Sequence, residues 1–353
     1  MTGDARIDPL LRHHGDVEVE AGMLDFAVNV RGSRPPEWLR RKLIEAVDRL
    51  AAYPSEAEDR RVRDRVALRH GRSPDEVLLL AGAAEGFAML PRLRPRLAAV
   101  VHPSFTEPEF ALRSADVPVH RVVLPAPYRL VDAAVPHDAD MVVLGNPTNP
   151  TSIGHPRADV LALRAEGRVL VVDEAFADTV PGEPESLASQ SRPDVVVLRS
   201  LTKSFALAGL RCGYALGAPD VLATLNRGRP HWPLGTLQLA AIEACCEPDA
   251  VASVDADALV LARERQYLVE RLRVLGVEVT APATASFVLV RAENGAAIRA
   301  ALRDRGVAVR RGDTFPGLGP DHLRIAVRGA DSVDRLADAW GDVVREMGTP
   351  RVE

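Results

Sequence analysis

The stretch that decides the fold runs from Ser200 to Gly217 and reads Ser-Leu-Thr-Lys-Ser-Phe-Ala-Leu-Ala-Gly-Leu-Arg-Cys-Gly-Tyr-Ala-Leu-Gly. It follows an apolar run that ends at Leu198 and is typical of a buried strand. The chain has 44 lysines and arginines, of which only Lys42 and Lys203 are lysines. Because a lysine amine can lose its proton and form a Schiff base whereas arginine stays protonated, Lys203 is a candidate for covalent chemistry. Lys42 lies in a charged helical stretch and is predicted to be a surface charge.

Around this stretch, apolar runs typical of strands alternate with segments of helical periodicity. Several of the runs are apolar throughout, as strands covered on both faces are. The alternation predicts a large α/β domain, over residues 36–240, with a mostly parallel seven-stranded sheet and right-handed crossovers. The predicted strands are 77–80, 98–102, 117–123, 141–144, 169–173, 195–198 and 213–216.

The two ends of the chain differ from this middle part. Residues 1–35 are rich in glycine and proline and predict an irregular N-terminal arm, with a short strand within 23–28. After a helical zone that is interrupted near Pro248, the pattern predicts a smaller α+β domain over residues 241–353. Its predicted strands are 277–280, 286–291, 307–310 and 322–327, with helices near 295–305 and 331–347. In the large domain, helices are predicted over 36–50 and 56–70.

Composition excludes several classes of function. The net charge of −5 gives no sign of a nucleic-acid-binding protein. No apolar run approaches the length that spans a membrane, and the first residues lack the apolar core of a secretory signal. The three cysteines have neither metal-ligand spacing with histidines nor the pattern of a disulfide framework, so no metal site is predicted. We expect a cytoplasmic protein that binds a small molecule.

Reactive and polar residues follow four of the predicted strands. Asp173 ends one strand, and the turn Asn-Pro-Thr-Asn-Pro-Thr at 146–151 follows another. A glycine-rich turn at 81–86 leads into a helix, and Lys203 follows the strand that ends at Leu198. Because ligands of open α/β sheets bind beyond the carboxyl ends of the strands, these residues are expected to share one ligand.

Each part has a use if that ligand is pyridoxal phosphate. Lys203 would form the Schiff base, and Asp173 would keep the pyridine nitrogen protonated so that the ring accepts electrons. The backbone amides of Ala83, Ala84 and Glu85 would hold the phosphate, with a bidentate contact from Arg211. Taken singly, a carboxylate at a strand end is often a turn or cap residue, and Asn-Pro pairs are ordinary turn formers. Their combination in this order is specific.

These residues resemble the aminotransferase-like pyridoxal phosphate enzymes of fold type I, and the resemblance covers nearly the whole chain. The stretch from Ser200 resembles the family's Schiff-base lysine motif, in which Ser200 and Thr202 are expected to bind the cofactor. The resemblance implies that Asn149 contacts the ring hydroxyl and that Phe105, in Pro-Ser-Phe, stacks on the ring. It further implies that Tyr53 reaches the cofactor phosphate of a neighbouring subunit, and hence a homodimer with shared sites.

Two subfamilies that act on phosphorylated amino compounds compete. Several stretches are more similar to the threonine-phosphate decarboxylase of cobalamin biosynthesis: His14-Gly-Asp, Leu-Asp-Phe-Ala-Val-Asn29, the Phe at 176 and the run around Leu-Arg-Ile-Ala-Val-Arg at 323–328. That match implies that Arg324 holds the substrate carboxylate. It also implies that Arg310 serves the phosphate or carboxylate, and that His14 and Asn29 bind substrate.

The chain departs from the decarboxylase pattern at Arg311-Gly312, after Asn29, at Gly235 and at Ala84. Threonine-phosphate decarboxylation is the preferred prediction, and a histidinol-phosphate-type aminotransferase is the alternative. A non-catalytic ligand-binding protein of the same fold is a third possibility, against which the presence of both Lys203 and Asp173 argues. A nucleotide-binding protein is disfavoured because its only glycine hint, at 317–319, precedes a predicted strand rather than a helix.

Overall fold

The structure is a computed structural model that describes residues 8–280 and 282–348. The outer ends of the predicted N-terminal arm and C-terminal domain, residues 1–7 and 349–353, therefore lie outside the described residues. The strands are β1 (Leu24–Phe26), β2 (Val77–Leu80), β3 (Ala98–His102), β4 (Val119–Val123), β5 (Met141–Gly145), β6 (Val169–Asp173), β7 (Val195–Ser200), β8 (Gly213–Leu216), β9 (Glu278–Val279), β10 (Phe287–Arg291), β11 (Val307–Arg311) and β12 (His322–Ala326). The α-helices are α1 (Glu37–Val47), α2 (Glu56–His70), α3 (Ala83–Met89), α4 (Glu107–Ser114), α5 (Arg157–Ala162), α6 (Pro219–Asn226), α7 (Thr236–Cys245), α8 (Pro248–Val274), α9 (Gly295–Asp304) and α10 (Ala330–Gly348).

The large sheet has seven strands in the order β2-β8-β7-β6-β5-β3-β4. β4, β3, β5, β6 and β7 are parallel neighbours, whereas β8 is antiparallel to both β7 and β2. This confirms the predicted α/β fold with a mostly parallel seven-stranded sheet. The central strands β3, β5 and β7 are buried almost throughout because helices cover both faces, which is why their sequences are nearly continuous apolar runs.

The predicted strand bounds hold closely. β2, β3, β6 and β8 match the prediction at both ends, whereas β4 begins two residues later and β7 continues two residues further, to Ser200. The extension of β7 carries the chain past the apolar run, because Arg199 and Ser200 are paired with β8 and buried. The strand that precedes Lys203 is therefore longer than its apolar core indicates.

The second sheet has five strands in the order β1-β11-β12-β10-β9. β1 runs parallel to β11, with Leu24 opposite Val307 and Phe26 opposite Val309. Phe26 is fully buried and belongs to the same apolar cluster as β10, β11 and β12. The N-terminal arm is thus anchored to the C-terminal sheet, which sequence periodicity did not indicate.

α8 connects the two apolar cores. Near its start, Ala250 and Val254 pack in the cluster of the large sheet, whereas Leu261 and Leu268 further along pack in that of the small sheet. The domain boundaries at 35 and 240 stay a prediction, since this helix contributes to both cores. In the described part of the chain, no helix is both long enough and apolar enough to cross a bilayer.

Candidate active site

A cavity of about 420 Å³ lies where the carboxyl ends of β3, β5, β6 and β7 face the small sheet and the N-terminal arm. Its lining includes eight of the predicted site residues: His14, Asn29, Phe105, Asn149, Lys203, Arg211, Arg310 and Arg324. These residues come from the arm, from loops after the large sheet's strands, and from β11 and β12. Residues far apart in the sequence thus meet at one place, as the strand-end argument predicts.

Lys203 lies in the loop that joins β7 to the antiparallel β8. The backbone amide of Leu201 donates to the carbonyl of Cys212 at 3.1 Å, which closes the base of this loop. Burial, with added repulsion from Arg324 and Arg211, lowers the pKa of Lys203 from 10.5 to about 8, although Asp173 opposes the shift. A larger fraction of the amine is therefore neutral, and nucleophilic, near neutral pH.

Asp173 is the last residue of β6 and lies between Gly145 of β5 and Leu198 of β7. One carboxylate oxygen accepts a hydrogen bond from the amide of Ala175 at 3.1 Å. Burial raises the pKa of Asp173 to about 6, and the hydrogen bond and Lys203 only partly offset this. A carboxylate in such surroundings gains from a cationic partner, such as a protonated ring nitrogen.

The turn between β2 and α3 forms a cradle beside Arg211. Gly82 has a φ of 80°, and a Cβ at this position would lie 2.9 Å from a terminal nitrogen of Arg211. The guanidinium of Arg211 thus lies against the backbone where α3 begins, at Ala83 and Ala84. A positive side chain and helix N-terminal amides at one place suit a phosphate.

Glu85 braces this turn. Its amide donates to the carbonyl of Gly82 at 3.1 Å, so that amide is already engaged within the turn. Its carboxylate accepts from the amide of Ala81 at 2.7 Å and pairs with Arg229 at 2.9 Å. The Arg229 contact spans 144 positions of sequence, and no local pattern indicated it.

Ser200 and Thr202 are buried next to Lys203, and their hydroxyl oxygens lie 2.7 Å apart. The amide of Leu207 also donates to the carbonyl of Thr202, at 3.3 Å. These contacts hold the loop that carries Lys203 in place. Ser200 and Thr202 are not among the residues that line the cavity.

Two buried arginines face the cavity from the small sheet. Arg324 donates to the side-chain oxygen of Asn149 at 2.6 Å and to the carbonyl of Ala27. Arg310 donates from Nη2 to the carbonyl of His13 at 2.7 Å and to the hydroxyl of Thr314 at 2.6 Å. Burial lowers the pKa of Arg324 to about 9 and that of Arg310 to about 10. Burial disfavours the charged forms of both guanidiniums, and a bound anion would stabilise these charged forms. This side of the cavity is therefore suited to anions.

Several of these polar atoms have no hydrogen-bond partner among the described residues. They include Nε of Arg324, Nη1 of Arg310 and both side-chain polar atoms of Asn29. A buried polar atom without a partner costs free energy, so Arg324, Arg310 and Asn29 form a polar wall that a polar or anionic ligand would suit.

The N-terminal arm covers this cavity. His14 makes a 2.6 Å hydrogen bond with Glu107 of α4, and its ring centre lies 5.4 Å from that of Phe105. The amide of Arg31 donates to the carbonyl of Lys203 at 3.1 Å. Lining residues that were not predicted as site residues include His13 and Phe315, and also Phe176, which the sequence indicated only as a marker of the subfamily.

Tyr53 is the one predicted cofactor residue that lies well away from the cavity. Its side chain is 74% exposed, and its ring stacks on Trp232 with 4.2 Å between ring centres. The resemblance assigns Tyr53 to a neighbouring subunit's site, so its position in a single chain leaves that prediction open.

The residues present fit pyridoxal phosphate. The cradle at Gly82 and Arg211 suits its phosphate, the buried Asp173 suits its ring nitrogen, and Lys203 suits its aldehyde. The described residues contain no group of three or more His, Cys, Asp or Glu side chains that could hold a metal ion.

Comparisons with known proteins agree with this geometry. The family model for aminotransferase class I and II matches residues 21–339. A histidinol-phosphate aminotransferase of Mycobacterium tuberculosis is 59% identical over 317 residues, covering 90% of this chain and 87% of the relative. A threonine-phosphate decarboxylase of Salmonella typhimurium is 29% identical and covers 91% of each chain.

Among solved structures, the histidinol-phosphate aminotransferase of Sinorhizobium meliloti in complex with pyridoxal 5'-phosphate superposes with a TM-score of 0.80. It is 22% identical, and the match covers 99% of this chain and 100% of that one. The fold of this chain is therefore that of the fold-type-I enzymes. From the family match, the chain belongs to the class I and II aminotransferases and is an enzyme that depends on pyridoxal phosphate.

Proposed function

We propose that this enzyme transfers the amino group of a phosphorylated amino compound of the histidinol phosphate type to 2-oxoglutarate. The observation that carries the proposal is the 59% identity, over 90% of the chain, to relatives named histidinol-phosphate aminotransferase. The named threonine-phosphate decarboxylase is only 29% identical. We therefore revise the preference for decarboxylation, which depended on short N- and C-terminal stretches.

The cavity supports a division of roles among its residues. We assign the cofactor phosphate to Arg211 and the amides of Ala83 and Ala84, with Ser200 and Thr202 holding the loop beside them. Asp173 pairs with the ring nitrogen, Asn149 with the ring hydroxyl, and Phe105 lies against the ring. When bound, the cofactor supplies an electron sink for a carbanion at the substrate Cα.

Lys203 carries the proton in this scheme. Its amine, with a pKa lowered to about 8, would take the proton from the substrate Cα and would return it to the carbon on the other side of the substrate nitrogen. Arg310 and Arg324 hold the anionic groups of the two substrates, which are a phosphate in one and carboxylates in the other. Asn29 and His14, from the arm, complete the polar lining and exclude water.

Decarboxylation of threonine phosphate is the second candidate, favoured by one feature of the site. Arg324 is buried, lies beside Asn149 and Asn29, and keeps Nε without a partner among the described residues. A substrate α-carboxylate held there could be turned out of the ring plane, and the bond that stands perpendicular to the ring is the one that breaks.

The test supplies both substrates to the purified holoenzyme in separate reactions. With histidinol phosphate and 2-oxoglutarate, we expect glutamate to form; with threonine phosphate, we expect no carbon dioxide above a Lys203→Ala control. Carbon dioxide release without glutamate formation would overturn the proposal in favour of the second candidate. We also propose that the enzyme is a homodimer, which the exposed position of Tyr53 supports, and that it is cytoplasmic.

A further inference from the structure

The N-terminal arm is fastened on both sides of the cavity. Towards the large sheet, the hydroxyl of Thr106 donates to the carbonyl of Leu11 at 2.6 Å, and Arg12 lies 3.7 Å from Glu107. Towards the small sheet, Arg303 of α9 donates to the carbonyl of Glu18 at 2.5 Å. Residues 11–18 therefore form a strap across the cavity, and the strap is held at both ends.

Glu18 is the buried charge at one end of this strap. Its side chain is 5% exposed, and its carboxylate contacts three groups from two parts of the chain. Oε1 lies 2.9 Å from Nε2 of His13, and Oε2 accepts from Arg299 of α9 at 2.7 Å. Oε1 also lies 3.6 Å from Nη1 of Arg310. A buried carboxylate with this set of partners is expected to hold each of them in place.

The guanidinium of Arg310 is held by several neighbours at once. Nη2 of Arg310 is committed to His13 and Thr314, whereas Nη1 is in ionic contact with Glu18 but makes no hydrogen bond among the described residues. Arg310 also lies over the ring of Phe315, with 4.9 Å to the ring centre. Its guanidinium is thus held in place by His13, Thr314, Glu18 and Phe315, at the wall of the cavity that Arg310 lines.

The carboxylate of Glu18 offsets the repulsion between the guanidiniums of Arg299 and Arg310. Arg299 and Arg310 are both cations near Glu18, and Arg299 disfavours the charged form of Arg310 whereas Glu18 favours it. Without the carboxylate, the two guanidiniums would repel each other across a poorly solvated space. Because Glu18 is also paired with Arg299 and His13, its own charge is largely offset and opposes an incoming anion only weakly.

We propose that Glu18 is a positioning residue that fixes the guanidinium of Arg310 for the anionic group of the substrate. Glu18 does not line the cavity, so it acts through Arg310 and through the carbonyl of His13. The inference rests on the proposed function, in which Arg310 and Arg324 hold the anionic groups of the substrates, and it assigns the substrate phosphate to Arg310.

The experiment titrates inorganic phosphate into the holoenzyme by calorimetry, for the wild type and for Glu18→Gln. Since one charge-assisted contact is lost, we expect phosphate to bind about tenfold more weakly to the variant. In amino transfer, KM for histidinol phosphate rises by the same factor while kcat stays within about twofold. The matched control is Glu20→Gln, two residues beyond the strap, which removes a 72% exposed carboxylate paired with Arg303 of α9 and should change neither quantity.

A double variant separates positioning from a general loss of structure. Arg310→Met should itself weaken phosphate binding, and Glu18→Gln should have no further effect on phosphate affinity in that background. Additive losses, an unchanged affinity in Glu18→Gln, or an equal loss in Glu20→Gln would each overturn the proposal. If Glu18→Gln does not retain the cofactor, Glu18→Asp takes its place, because it keeps the charge but shortens the reach. The phosphate titration needs no amino transfer, so it tests Glu18 even if histidinol phosphate proves not to be a substrate.

Discussion

At the scale of single residues, the reactivity of the Lys203 amine depends on the groups around it and not only on its being a lysine. The chain has one other lysine, Lys42, whose side chain is 51% exposed and lies 3.9 Å from Glu247 on the surface. Lys203 is surrounded by Arg324, Arg211 and buried surface, all of which disfavour its charged form. Two lysines in such different positions allow each to be followed separately in one protein.

We predict that acetic anhydride labels Lys203 of the apoenzyme with a midpoint near pH 8. The neutral amine is the reactive form, so labelling rises with pH as the proton leaves, and the lowered pKa shifts that rise down from 10.5. Mass spectrometry of the two lysine peptides measures each residue, with Lys42 as the internal surface control. A midpoint for Lys203 at or above the ordinary value of 10.5 would contradict the burial argument.

Some site residues could be predicted from sequence because each follows directly from a strand. Asp173 ends an apolar run, and Lys203 and Asn149 each lie five residues after one. Strand prediction therefore placed all three at the correct edge of the sheet. Glu18 and Arg229 could not be found in this way. Their partners, Arg310 and Glu85, are distant in sequence, and their importance lies in a buried contact that only the folded chain creates.

At the scale of secondary structure elements, the turn from β2 to α3 has a shape that only glycine allows. Gly82 has a φ of 80°, a conformation that L-residues other than glycine rarely adopt, and its missing side chain makes room for Arg211. The turn therefore needs glycine for two reasons, which are the positive φ of its backbone and the space that the Arg211 side chain occupies. By contrast, Gly71 at the end of α2 has a φ of 64°, with no atom within 4 Å of an added Cβ.

This contrast predicts different outcomes for Gly82→Ala and Gly71→Ala. Gly71 is in the left-handed helical region, so Gly71→Ala should cost about 1 kcal/mol of stability. Gly82, with a ψ of 162°, is in a region essentially restricted to glycine, so Gly82→Ala should cost more, about 3 kcal/mol, and should lower the melting temperature further. Only Gly82→Ala should also weaken pyridoxal phosphate binding, by at least about tenfold, because the methyl group displaces one charge-assisted partner, Arg211. Reconstitution of the apoenzyme, followed by cofactor absorbance, measures this affinity. Equal cofactor affinities in the two variants would argue against a phosphate cradle at this turn.

The elements also show where sequence periodicity succeeds and where it stops. β2, β3, β6 and β8 match their predicted bounds because their ends coincide with a change from apolar to polar residues. The pairing of β1 with β11 joins residues more than 280 positions apart, and the three-residue strand carries little periodicity of its own. Local patterns therefore predicted both sheets but not which sheet the N-terminal arm would join.

At the scale of the whole molecule, the cavity depends on parts that meet only when both sheets are assembled. Arg324 of the small sheet donates a hydrogen bond to Asn149, which follows β5 of the large sheet, and the strap at residues 11–18 is fastened on both sides. Tyr53 is the exception, since it is exposed and stacked on Trp232 outside the cavity. Within a single chain, Tyr53 is not among the residues that line the cavity.

We therefore predict that Tyr53 acts on the site of a second subunit. Tyr53→Phe should weaken cofactor binding about tenfold, since the hydroxyl would lose one hydrogen bond to a charged phosphate. Tyr267→Phe is the matched control, because its hydroxyl donates to Asp334 at 2.6 Å, between α8 and α10, and Tyr267 does not line the cavity. Its cofactor affinity should equal that of the wild type. Sedimentation of the holoenzyme should give a dimer, and a monomer that binds the cofactor with wild-type affinity in Tyr53→Phe would refute shared sites.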